Sequence, residues 1–262
     1  MKTFKQTLTA LATVAALSAA GSANAGLTNW YMDANGAVGG TADATLVAEY
    51  LDLLGKAYVK NTMTGATTFS FNEAGNFNTA SADGGSSFLT TGLRSEFVGV
   101  GNGDTSTGGL TFTTGSLNVY SGATNIASFD LLLGNGAVDV GTVLPNGVFS
   151  LIFKATSMAS GYFFDGAMND LSLKVGDGLT FGFATTNASV TNTWSAAENA
   201  TLTGIYNTAF NPDIASIANN GTTDLVIRNG GQFGLEVPEP TSMALAGLGL
   251  TGLAALRRRK SA

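Results

Sequence analysis

The chain has 262 residues, of which 35 are glycine and four proline, with no cysteine, no histidine and a formal charge of −6. Lacking histidine and cysteine, it has no imidazole general base, no Ser-His-Asp or Cys-His pairing, and no such ligand for zinc, copper or iron. Hydrophobic residues at 44% exclude a disordered chain, and charged residues at only 11% leave solubility to hydroxyls and amides.

At the start of the chain, Lys2 and Lys5 precede an apolar stretch from Leu8 to Ala20. Ala23-Asn24-Ala25 then supplies the small residues that a signal peptidase reads. The pattern predicts a signal peptide over residues 1–25, helical in its apolar part, with cleavage after Ala25. Six of the twelve basic residues lie in the two ends of the chain. All eighteen acids lie between Asp33 and Glu239, so the stretch from Gly26 to Glu239, a body freed of both ends, carries a formal charge of −12. Such a body repels nucleic acid and anionic membrane surfaces. It leaves divalent cations, neutral or cationic polysaccharide and copies of itself as partners.

Within the body, residues 26–236, β signals dominate. Thr45 to Leu54 fits both helical and strand spacing, and the alternation of Lys56-Ala-Tyr-Val-Lys60 after it favours a pair of strands. Further strands are expected at 66–71, 93–100, 110–114, 116–120, 125–133, 148–154, 162–164, 179–183, 202–206 and 224–228. Residues 101–109, with four glycines, read as a loop. Short strands spaced by glycine and asparagine predict a single antiparallel β-sandwich or jelly-roll-like domain. No long amphipathic pattern lies between them to suggest parallel α/β.

Four groups of residues have the chemistry for a site. Asp33-Ala-Asn-Gly36 and Asn102-Gly-Asp-Thr-Ser106 offer oxygen ligands for calcium. The same residue types build turns, and neither loop has the EF-hand pattern, so turns are preferred and no cofactor or metal is expected. Asp165 and Asp170 would suit glycoside hydrolysis if their carboxyl groups converged; surface turns are the plainer reading, and no catalytic residue is assigned. Trp30, Tyr31 and Trp194 would stack on sugar rings if exposed, against the commoner burial of aromatic side chains in a core. Asn187, Asn199 and Asn220 each fall in the Asn-x-Ser/Thr pattern, which an Asn/Thr-rich chain produces by chance.

The C-terminal segment, residues 237–262, has three parts in a fixed order. Pro238-Glu239-Pro240 comes first. A charge-free run from Met243 to Leu256 follows, then the basic stop of Arg257, Arg258, Arg259 and Lys260. As a helix at about 1.5 Å per residue the run reaches roughly 21 Å, short of the ~30 Å hydrocarbon core and suited to temporary insertion in the inner membrane. The cations hold the end on the cytoplasmic side. The prolines keep Glu239 extended and accessible to a protease.

This order resembles the PEP-CTERM sorting signal. The resemblance implies cleavage near the motif by a membrane exosortase and transfer to the cell exterior. In the body, Phe69-Ser-Phe-Asn-Glu73-Ala-Gly, Gly147-Val-Phe-Ser-Leu, Gly161-Tyr-Phe-Phe-Asp165 with Asp170-Leu171, and residues 182–189 look similar to flocculation-associated PEP-CTERM proteins. That similarity implies a non-enzymatic matrix or cell-surface protein that helps cells aggregate in exopolysaccharide. The alternatives are a secreted carbohydrate-binding module and, behind it, a glycan hydrolase.

Overall fold

The structure, a computed structural model, describes residues 29–36, 43–85, 88, 91–138 and 146–236. The expected signal peptide with Ala25 lies outside these residues. So do Pro238, Glu239, Pro240, the apolar helix expected over Met243–Leu256 and the Arg257–Lys260 cluster.

Among the described residues, eleven strands follow one another. They are β1 (Trp30–Met32), β2 (Thr45–Val47), β3 (Leu51–Met63), β4 (Thr68–Ala82), β5 (Leu93–Asp104), β6 (Gly109–Ser121), β7 (Thr124–Val138), β8 (Asn146–Met158), β9 (Phe163–Asp165), β10 (Thr180–Val190) and β11 (Asp224–Glu236). A short 3-10 helix spans Leu171–Asp177, and one α-helix, α1, spans Ala196–Phe210.

The body is all-β, as expected, but it is a closed barrel rather than two facing sheets. The order is β10-β11-β3-β4-β5-β6-β7-β8, and β10 pairs back onto β8 to shut the ring. Strand length permits the closure. The barrel strands run 11 to 15 residues, long enough to twist round and satisfy every edge by pairing. Residues 110–114 and 116–120, expected as two strands, form the single strand β6, with Gly115 inside it. Much of the expected 101–109 loop is likewise strand, leaving a turn at 105–108.

Each strand alternates, and the inward set is strongly aromatic. On β4 the inward residues are Phe69, Phe71, Glu73, Gly75 and Phe77; Phe97, Phe112, Phe153, Phe183 and Phe233 come in from the other walls. The rings meet mainly edge to face, Phe71 on Phe112 at 5.0 Å and Phe129 on Phe181 at 5.1 Å. Glycines make room for them. A Cβ on Gly101 would lie 2.3 Å from the Phe71 ring, and one on Gly231 2.2 Å from that of Phe183.

The ambiguous stretch 45–54 is β2 and the start of β3, so the strand reading holds there. The two do not pair with each other. β2 joins β1 and β9 in a three-stranded antiparallel sheet, order β2-β1-β9. That sheet sets Trp30 against Phe163 at 6.0 Å and Phe181 at 5.8 Å, within the same core as the barrel interior. Asp83 ties it down by accepting the backbone N–H groups of Ala48, Glu49 and Tyr50.

Residues 202–206, expected as a strand, belong to α1 instead. Ser195 and Glu198 form a capping box at its start, each side chain accepting the other's backbone N–H. Leu202 and Tyr206 then pack on the outside of the barrel wall, with Tyr58, Ala74 and Val226. Lys56 on β3 reaches Glu198 at 2.5 Å. The helix ends at Asn211, in the left-handed region at φ 53°.

Candidate functional site

The structure sorts the sequence candidates by what their side chains already do. Asp33 is buried, and its Oδ1 accepts the backbone N–H groups of Asn35 at 2.8 Å and Gly36 at 3.1 Å. Asp104 does the same at the turn between β5 and β6, accepting from the N–H and hydroxyl of Ser106 at 2.8 and 2.6 Å. Those two hydrogen bonds hold the exposed Asp104 carboxyl below the usual range. Both loops are side-chain-closed turns. Among the described residues, no cluster of three or more Asp, Glu, His or Cys is placed to hold a metal ion.

Asp165 and Asp170 lie at the two ends of one tight turn, and the oxygens of both are taken up by local hydrogen bonds. Asp165 accepts from the backbone of Ala167 and Asn169 and from the Asn169 amide. Asp170 caps the 3-10 helix through Ser172 and accepts from Ser160 and Gly161. Partial burial pushes both carboxyls up, and the hydrogen bonds outweigh it and hold them below the usual range. General acid catalysis needs the opposite, one carboxyl raised.

The three aromatics considered for sugar stacking are not together. Trp30 is fully buried in the core, so it presents no face to a ligand. Trp194 is half-buried against the helix cluster, and Tyr31 is half-buried on β1. Asn199 and Asn220 serve structure: the Oδ1 of Asn199 accepts from Ile217 and Thr203, and that of Asn220 from three successive backbone N–H groups.

Two features escaped the sequence reading. The first is an open groove of about 530 Å³ between α1 and the outer faces of β5 and β6. Glu96, Asn118 and Tyr120 line one side and Ala200, Gly204 and Thr208 the other. Arg94 lies 4.1 Å above the Tyr120 ring and pairs with Glu96, so an aromatic ring, a carboxylate and an amide share one rigid wall. The signal was Ser195-x-x-Glu198, which marks a helix start and so one bank of the groove.

The second lies inside the barrel. Glu73 is 8% exposed and has no hydrogen-bond or ionic partner among the described residues. Loss of hydration raises its carboxyl to about 7. Its position was legible, since it shares the parity of Phe69, Phe71 and Phe77 on one strand.

The family model for the PEP-CTERM protein-sorting motif matches residues 236–260. The chain thus carries a PEP-CTERM sorting signal, which marks an exported protein processed by an exosortase. No curated protein and no solved structure matches the chain.

Proposed function

We propose that this protein is a non-enzymatic component of the extracellular matrix or cell surface that promotes flocculation and biofilm aggregation with exopolysaccharide. On this reading the chain inserts transiently in the inner membrane and works after exosortase cleavage near Pro238-Glu239-Pro240. The observation that carries the proposal is the sorting motif at residues 236–260. The body supports it: a rigid wall rich in hydroxyls and amides, carrying most of the chain's acids, is suited to repeated weak contact with hydrated polymers and bridging cations. Deleting the gene should reduce flocculation and leave polysaccharide synthesis unchanged. Unaltered aggregation in the deletion strain would remove the adhesive role.

A second reading, a carbohydrate-binding module, is favoured by the groove beside α1. Tyr120 would stack on a sugar ring, with Asn118 and Glu96 holding hydroxyls. In affinity electrophoresis against the native exopolysaccharide, Tyr120→Ala should then run freely where the unmodified protein is retarded. Equal retardation of both proteins would count against the groove.

A further inference from the structure

The lumen of the barrel is not completely filled. Near the end formed by Phe69, Leu110 and Leu225 there is a cavity of about 100 Å³, walled by apolar side chains from seven strands. A smaller one of about 20 Å³ lies deeper, against Phe97, Phe153 and Asn229. Glu73 and Phe149 border both, so the carboxyl group sits between the two. An apolar cavity left over from imperfect packing would carry no buried carboxylic acid, because an unpaired carboxyl costs stability there.

The polar groups lining the outer cavity are acceptors. Asn61 borders the outer cavity, and its Oδ1 is buried with no hydrogen-bond partner. Its Nδ2 is already committed to the carbonyl of Thr222 at 2.9 Å. The Oδ1 of Asn229 at the inner cavity is likewise buried and unpartnered. The outer site therefore presents acceptors, one of them ionisable, within aromatic walls. A carboxylate ligand would be repelled. A hydroxyl has one proton to give and brings lone pairs of its own. An ammonium group has three donors and no acceptor, which matches the site. The inner cavity is large enough for about one water between Glu73 and Asn229.

We propose that the barrel lumen is a binding site for a small primary alkylamine, with Glu73 and Asn61 receiving the ammonium group and Phe69, Phe71, Phe149 and Ile227 enclosing the alkyl chain. Size limits the ligand. Cavities of about 150 Å³ hold benzene, so this one takes about four carbon atoms. The same chemistry fits a free amine or the aminoalkyl end of a longer molecule. The proposal is independent of the matrix role and of the groove beside α1.

The test uses the full chain with its glutamates labelled with ¹³C at the side-chain carboxyl, titrated with n-butylamine, 1-butanol and butyrate. Butylammonium should move the Glu73 signal saturably in the millimolar range and lower its midpoint by about one pH unit, since a cation favours the ionised form. By linkage to that shift, binding should be about sevenfold tighter at pH 8 than at pH 5.5. No other titratable side chain borders either cavity, so this dependence belongs to Glu73. E73Q should weaken binding at least tenfold. Butanol binding as tightly as the amine, or binding that is unaffected by E73Q, would overturn the proposal. So would a Glu73 signal unmoved by tens of millimolar amine, which would leave the cavities as water sites only. If E73Q does not fold, the comparison of amine with alcohol and the pH dependence decide the matter on the unmodified protein.

Discussion

Glu73 is the residue whose environment departs furthest from its chemistry. Its carboxyl ionises near 4.5 in the unfolded chain and near 7 in the barrel, because burial removes water and supplies no partner. The neutral form is thus favoured in the folded state. The contribution of Glu73 to stability is greatest below pH 4.5, falls as the unfolded chain ionises first, and levels off above about 7. At about 1.4 kcal/mol per pH unit, the loss across that window is about 3 kcal/mol. Urea denaturation of Glu73→Gln should show a shallower decline between pH 5 and 8, and at pH 8 the variant should be the more stable by about that amount. Parallel curves for the two proteins would mean the carboxyl is solvated. Gly101 makes the complementary point about space. A methyl group there would lie 2.3 Å from the Phe71 ring and 2.4 Å from the carbonyl of Thr111, so Gly101→Ala should cost about 2 kcal/mol in a thermal melt. A neutral effect would show that the wall yields.

Elements differ in how much of them the sequence declares. The run Val148–Lys154 is apolar at five of its seven positions and is a barrel strand; the aromatic alternation from Phe69 continues through β4 and carries Glu73 inward with it. Glycine misled in the other direction. Gly115 reads as a break, yet its neighbours form one strand, because glycine here lets the strand pass close to the Val98 carbonyl, which a Cβ would meet at 2.9 Å, instead of turning the chain. The helix was obscured because its apolar residues crowd its second half, where Leu202–Tyr206 imitates a strand. Its cap was the legible part. Ser195→Ala should therefore cost about 1 kcal/mol. Leu202→Ala, which empties a buried site against Tyr58 and Val226, should cost about 3 kcal/mol. Both should leave the far-ultraviolet β signal in place, because α1 packs on the outside of a wall whose own core lies on the other face. Loss of the barrel in either variant would mean that the helix is needed to close it.

At the scale of the whole molecule, strand content was readable and closure was not. A sandwich and a barrel can be built from the same strands; what separates them is whether β10 returns to β8, a contact between strands that no local pattern encodes. Polarity then separates this barrel from those that span membranes. Its inward face is aromatic, while Lys60, Arg94, Asp130 and Lys154 stand on the outer wall, with Asp130 and Lys154 opposite each other in register. A membrane barrel reverses that order. Combined with the sorting signal, the body reads as the cargo of an exported protein. The trio of Pro-Glu-Pro, apolar run and basic stop was legible because a signal acts through local sequence, with no tertiary context required. Processing at those ends is the central claim, and intact mass spectrometry of the protein recovered outside cells tests it most directly. The account predicts a chain that begins at Gly26 and lacks the Arg257–Lys260 tail; an exported chain that retains Arg257–Lys260 would contradict it.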